Sequence, residues 1–109
     1  MLYDNIVVEL QSYDRKSFYG KAQVIYSGND IFLQSYNTIV CGIVNDQFER
    51  YWPGYSCTTM RHINSFIIAF SHKAVNVTCE SGGKKWWQSL QVKEAPIFSV
   101  SANYRASYY

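Results

Sequence analysis

The chemistry-bearing residues of this chain concentrate in one segment, Tyr55-Ser56-Cys57-Thr58-Thr59-Met60-Arg61-His62. A cysteine at a helix start can have a lowered thiol pKa, and a histidine within contact could serve as its base. Cys57 and His62 are five residues apart, however, and helical neighbours share a face at three or four. No glycine-rich oxyanion segment accompanies them, so a cysteine hydrolase is not expected. The same segment offers hydroxyls and free N–H groups that, with Arg61, could hold an anion. The local explanation is simpler: Ser56 or a threonine caps the helix, and His62 wedges against a neighbouring sheet.

Other constellations are weaker. Cys57, His62, His72 and Cys79 are the available soft ligands, but they contain no Cys-x-x-Cys element. His62 and His72 cannot converge from one continuous helix. Asp4, Asp14, Asp30 and Asp46 all fall at predicted turns or termini, where Asp serves the backbone. Gly82-Gly83-Lys84 lacks the other glycine and the hydroxyl of a phosphate-cradling loop. The residues therefore predict no enzyme, no metal and no cofactor.

What the sequence does carry is basic residues interleaved with aromatic ones. The stretches are Arg15-Lys16-Ser17-Phe18-Tyr19-Gly20-Lys21, Arg50-Tyr51-Trp52 and Lys84-Lys85-Trp86-Trp87. Bases stack on aromatic faces while Lys and Arg follow phosphates, so this composition suits a single-stranded nucleic acid. Tyr, Trp and Arg are also the residues that anchor protein interfaces.

These stretches need a scaffold. The chain has 109 residues, 48% apolar and 17% aromatic, with net charge +2. That is enough for one cored domain, and too near neutral for a polybasic wrapper or an acidic mimic. Alternating Ile6, Val8 and Leu10 predict a half-buried first strand. Strands follow over Phe18–Tyr26, Ile31–Tyr36, Thr38–Val44 and Phe48–Trp52, with Ser35–Thr38 either a hairpin tip or a bend. Met60, Ile63, Ile67 and Phe70, widened by Phe66, predict one amphipathic helix, with Arg61, Ser65 and His72 on or near its other side. Ala74–Cys79 is a weak strand candidate, Lys84–Leu90 a short second helix and Ile97–Val100 an edge strand. The N-terminus lacks the pattern of a signal peptide, and no apolar run approaches a membrane span. Cytoplasmic localisation, no membrane association and three reduced cysteines are therefore expected.

Three segments carry a resemblance: Leu33–Ile43 (LQSYNTIVCGI), Tyr55–Ile67 (YSCTTMRHINSFI) and Gly82–Leu90 (GGKKWWQSL). They resemble a short uncharacterised domain of small phage, prophage and mobile-element proteins of Gram-positive bacteria. Its Ser-Tyr-x-Thr strand segment corresponds to Ser35, Tyr36 and Thr38, and its helix start to Tyr55, Ser56, Thr58, Thr59, His62 and Ile63. The resemblance spans about residues 5–92 and implies a phage-borne, intracellular context without a mechanism. The stretch from His72 to Glu80 is longer than the family's usual link, and the chain after Glu94 lies outside the pattern.

The resulting expectation is an α+β domain over residues 1–94. It is an antiparallel meander of about five strands, with one main amphipathic helix on one face and a short second helix. Residues 95–109 are a tail or edge strand. The expected function is non-catalytic: a phage-type accessory protein that binds a host or phage protein, as a modulator of host defence or replication. The alternative is single-stranded nucleic-acid binding. The candidate contact residues are Arg15, Lys16, Tyr19, Lys21, Arg50, Trp52, Arg61, Lys84, Lys85, Trp86 and Trp87.

Overall fold

The computed structural model describes residues 5–13 and 17–96. Strands β1 (Ile6–Glu9), β2 (Ala22–Ser27), β3 (Asp30–Ser35), β4 (Thr38–Val44) and β5 (Gln47–Arg50) form one antiparallel sheet in sequence order. Helix α1 (Cys57–Phe70), a 3-10 turn at Ser71–Lys73 and the short helix α2 (Lys84–Ser89) follow. The expected α+β meander is thus the observed fold. Arg15, Lys16 and the Ile97–Val100 strand candidate lie outside the described residues.

Turn chemistry sets the register. Asn45 and Asp46, at φ 52° and 65°, join β4 to β5 in the mirror-image turn that matches strand twist. Gly28 (φ 61°) opens the β2–β3 turn and Tyr36 (φ 56°) the β3–β4 turn. Ser35 pairs directly with Thr38, so this segment is a hairpin tip. The β3–β4 register then slips, pairing Gln34 with Ile39 but Leu33 with Cys41. Val40 is the extra residue of a bulge, and it and Cys41 consequently both reach the main core. Its carbonyl accepts the N–H groups of both Tyr51 (2.8 Å) and Trp52 (3.2 Å), which turns the chain out of the sheet.

Helix α1 starts at Ser56, whose hydroxyl accepts the Thr59 N–H at 3.0 Å. It buries Met60, Ile63, Phe66 and Ile67 on the sheet among Val24, Leu33, Cys41 and Ile43. Thr59, His62 and Ser65 are buried with them. Ser65 was expected on or near the outer side; instead it is buried, and its hydroxyl accepts the Tyr13 N–H at 3.4 Å, because the chain just beyond β1 lies against the helix at Tyr13.

Two other expectations need correction. On β1 the apolar alternation reads as a buried Ile6 and Val8, yet these are 54% and 38% exposed while Val7 is buried. β1 is the edge strand and its main-core side there is left uncovered, whereas Val7 joins Ile25 and Phe32 in a second cluster. Ala74–Cys79 is not a strand. Asn76 instead gives β5 a side-chain substitute for one: its Oδ1 accepts the Phe48 N–H at 2.7 Å, and its Nδ2 donates to the Phe48 carbonyl at 3.1 Å. Further along that edge, the Lys93 N–H donates to the Arg50 carbonyl at 2.7 Å, beside a parallel bridge between Arg50 and Val92. The β5 edge is therefore occupied rather than open to another chain.

Candidate functional site

Two of the three segments singled out by resemblance, Leu33–Ile43 and Tyr55–Ile67, meet in space. Ser35, at the end of β3, places its Oγ 3.1 Å from Thr59 Oγ1 and 2.8 Å from His62 Nδ1. All three residues are buried, and the chain of contacts is satisfied whichever way the protons are donated. Phe18 meets the imidazole edge-on at 4.6 Å between centroids, and Tyr36 lies 5.8 Å away. Burial, with a smaller contribution from the charge of Arg61, pushes the His62 pKa down to about 4. The ring is thus a neutral polar strut between helix and hairpin at pH 7.

Cys57 is exposed at the helix start, and its sulfur lies 4.0 Å from Tyr55 Oη. The imidazole of His62 is spent on Ser35, and the two groups form no nucleophile–base pair. Cys41 is fully enclosed, and burial pushes its thiol well above the usual range.

Above the strut lies a cleft of about 180 Å³, lined by Ser17, Phe18, Tyr19, Lys21, Tyr36, Thr58, Arg61 and His62. None of these lining residues is acidic. The Arg61 guanidinium stands 5.0 Å over the Phe18 ring, and the Lys21 ammonium 5.5 Å over the Tyr36 ring. Each cation is thereby held against the rim by an aromatic face. Phe18-Tyr19-Gly20-Lys21 makes a tight turn in which the Lys21 N–H donates to the Phe18 carbonyl at 3.0 Å. Its central residues, Tyr19 and Gly20, have φ 53° and 76°. Left-handed backbone costs a side-chain-bearing residue roughly 1–2 kcal/mol, and Asn or Gly would be the economical choice at Tyr19. Tyr19 nonetheless occupies it with its residue surface 82% exposed, contributing nothing to the core. The tyrosine is strained and outward-facing beside two cations.

The other basic–aromatic stretches are used differently. Arg50 is buried, and its guanidinium donates to four carbonyls: Trp52 (2.9 Å), Trp87 (3.0 Å), Leu90 (3.2 Å) and Pro53 (2.8 Å). It also stacks on the Trp87 ring at 4.7 Å. Trp87 is wholly buried and donates its indole N–H to the Gly54 carbonyl at 2.8 Å. This pair ties the end of β5 to the C-terminal end of α2, where carbonyls favour a cation. Trp86 is half-buried against Phe48 (5.4 Å), and Trp52 lies over Gly54. Lys84 stands 5.2 Å over the Tyr55 ring, and Lys85 is exposed. Of the sequence-derived candidates, the structure brings Tyr19, Lys21 and Arg61 together, and keeps Arg50 and Trp87 inside.

Sequence reasoning missed Ser35 and Tyr36 as parts of this site. The available signal was the pairing of the Ser-Tyr-x-Thr and helix-start segments, which these contacts explain. A family model described as a family of unknown function (DUF8033) matches residues 8–89. The chain belongs to that family. The match takes in the whole strut and cleft, from the strands to the end of α2. Comparisons with curated proteins and with solved structures find no match.

Proposed function

We propose that this protein is a non-catalytic binding module that docks a partner protein on the tyrosine-rich surface around the Lys21–Arg61 cleft. The observation that carries the reading is Tyr19: an exposed aromatic kept in a left-handed turn at a cost to the fold. Strain that the fold itself does not need points to contact with something else. Tyr13 and Tyr36, 52% and 47% exposed, add amphipathic contact area, and tyrosine and arginine are the side chains that most often anchor interfaces. The neutral His62 strut fixes the floor beneath them. The resemblance to phage and mobile-element proteins supports a phage-type accessory protein in the host cytoplasm, occupying a host or phage protein of defence or replication.

A second reading rests on the same geometry. An ammonium beside stacked and exposed tyrosine rings also fits a single-stranded nucleic acid, with bases on the rings and phosphate at Lys21. It is the weaker reading because Trp87 and Arg50 offer no face to a strand. Affinity capture from host lysate, with and without nuclease, separates the two. Nuclease-resistant capture of one protein, lost with Lys21→Ala, supports the first reading; nuclease-sensitive capture supports the second.

A further inference from the structure

At the end of the sheet opposite the Lys21–Arg61 cleft lies a larger cavity, of about 460 Å³. Three parts of the chain converge on it. The tips of the β2–β3 and β4–β5 hairpins supply Asn29 and Asp46, and the chain leaving α1 supplies His72 and Lys73. The Val75 N–H donates to the Asp46 carbonyl at 2.8 Å and ties the last two together. Ile31 and Ile43, paired across β3 and β4, give the cavity an apolar floor. Val75, 75% exposed, adds an apolar rim that the core does not use. Small-molecule sites have volumes of roughly 300–1,000 Å³, with a few polar groups that fix the ligand's orientation over apolar walls.

The charges decide the class of ligand. Asp46 and Lys73 line the same cavity without pairing to each other. Among the described residues, the side chains of Asn29, Asp46, His72 and Lys73 make no hydrogen bond or ion pair. A carboxylate and an ammonium that come from different walls, both unspent, complement a molecule carrying one charge of each sign. We propose that this cavity binds a small zwitterion with an aliphatic body, of the α-amino-acid class. Its ammonium meets Asp46, its carboxylate meets Lys73, and its side chain lies on Ile31, Ile43 and Val75. Asn29 and His72 supply the remaining hydrogen bonds, since an amide and an imidazole can each donate and accept. A ligand with a single charge would set Asp46 or Lys73 against a like charge or leave it unmatched, which costs affinity. The site is separate from the docking surface around Tyr19 and does not depend on it.

The test is a titration of the isotope-labelled full chain with L-leucine, followed by amide NMR. Parallel titrations use 4-methylpentanoate and isopentylamine, which lack leucine's ammonium and carboxylate respectively. Saturable shifts confined to the amides around Asn29, Asp46 and His72 to Val75 are expected with leucine, and each analogue should bind at least tenfold more weakly. Asp46→Asn keeps a residue type that tolerates the left-handed backbone at φ 65°, so its melting temperature should match the parent's while leucine binding falls at least tenfold. Lys73→Gln should lose leucine to the same extent. Absence of shifts at millimolar leucine would overturn the proposal, and so would undiminished leucine binding by either variant. Equal or tighter binding of one analogue would assign the cavity to a simple anion or cation and equally refute the zwitterion.

Discussion

Acidification should destabilise this protein through His62. In the folded chain the imidazole is 1% exposed, bonded to Ser35 and held at a pKa of about 4, chiefly by burial. Once unfolded it returns to about 6.5. Between those values the unfolded state binds the extra proton, so stability is full above pH 6.5 and falls as the pH drops towards 4. At 1.36 kcal/mol per pKa unit, the loss by pH 4 is about 3 kcal/mol. Set against a typical total of roughly 5–15 kcal/mol, that is a large fraction. Urea melts at pH 7, 6, 5 and 4 would measure it, with His62→Gln as the reference. Gln retains a hydrogen-bonding end but no titrating group, so groups common to both proteins cancel in the difference. The variant should be less stable at pH 7 and converge on the parent near pH 4. Parallel curves over the whole range would refute the account of a buried neutral strut.

Three further outcomes follow from the packing. Ile63→Ala and Ile67→Ala each remove a fully buried side chain from the helix–sheet core and should cost roughly 2–5 kcal/mol in denaturant melts. Arg50→Leu leaves four carbonyls without their donor and should cost at least about 3 kcal/mol; Arg50→Lys should rescue little, because a point ammonium cannot span four acceptors. Gly82→Ala should be destabilising, since a Cβ at φ 129° would meet Asn64 Oδ1 at 2.5 Å; a thermal melt identical to the parent's would contradict this.

Where residue spacing alone fixes what is buried, the sequence was legible. The 3-4-3 apolar spacing of α1, the alternation along β2, the β-type residues of β3 and β4 and the turn residues each follow from local geometry, and the meander followed from them. The Ser56 cap and the wedging of His62 were equally readable from residue type. The face of β1 was not, because an edge strand's burial depends on how far α1 reaches across the sheet. Asn76 reads as a loop residue because an amide imitating a strand leaves no periodic trace. Arg50 and Trp87 read as surface because interleaved basic and aromatic residues look alike whether a guanidinium faces water or four carbonyls 2–40 residues away in sequence. The cleft was half legible: Tyr19, Lys21 and Arg61 were candidates, but Ser35 and Tyr36 join them only through the hairpin.

The central claim is that Tyr19 is kept for contact rather than for the fold, and Tyr19→Gly tests it most directly. Glycine accepts the left-handed turn without strain, so the variant's urea midpoint should match or exceed the parent's. Its affinity for the protein captured from lysate, measured by calorimetry, should fall at least tenfold. A variant that is destabilised but binds its partner with undiminished affinity would show that Tyr19 serves the fold, and would contradict the assignment of this surface.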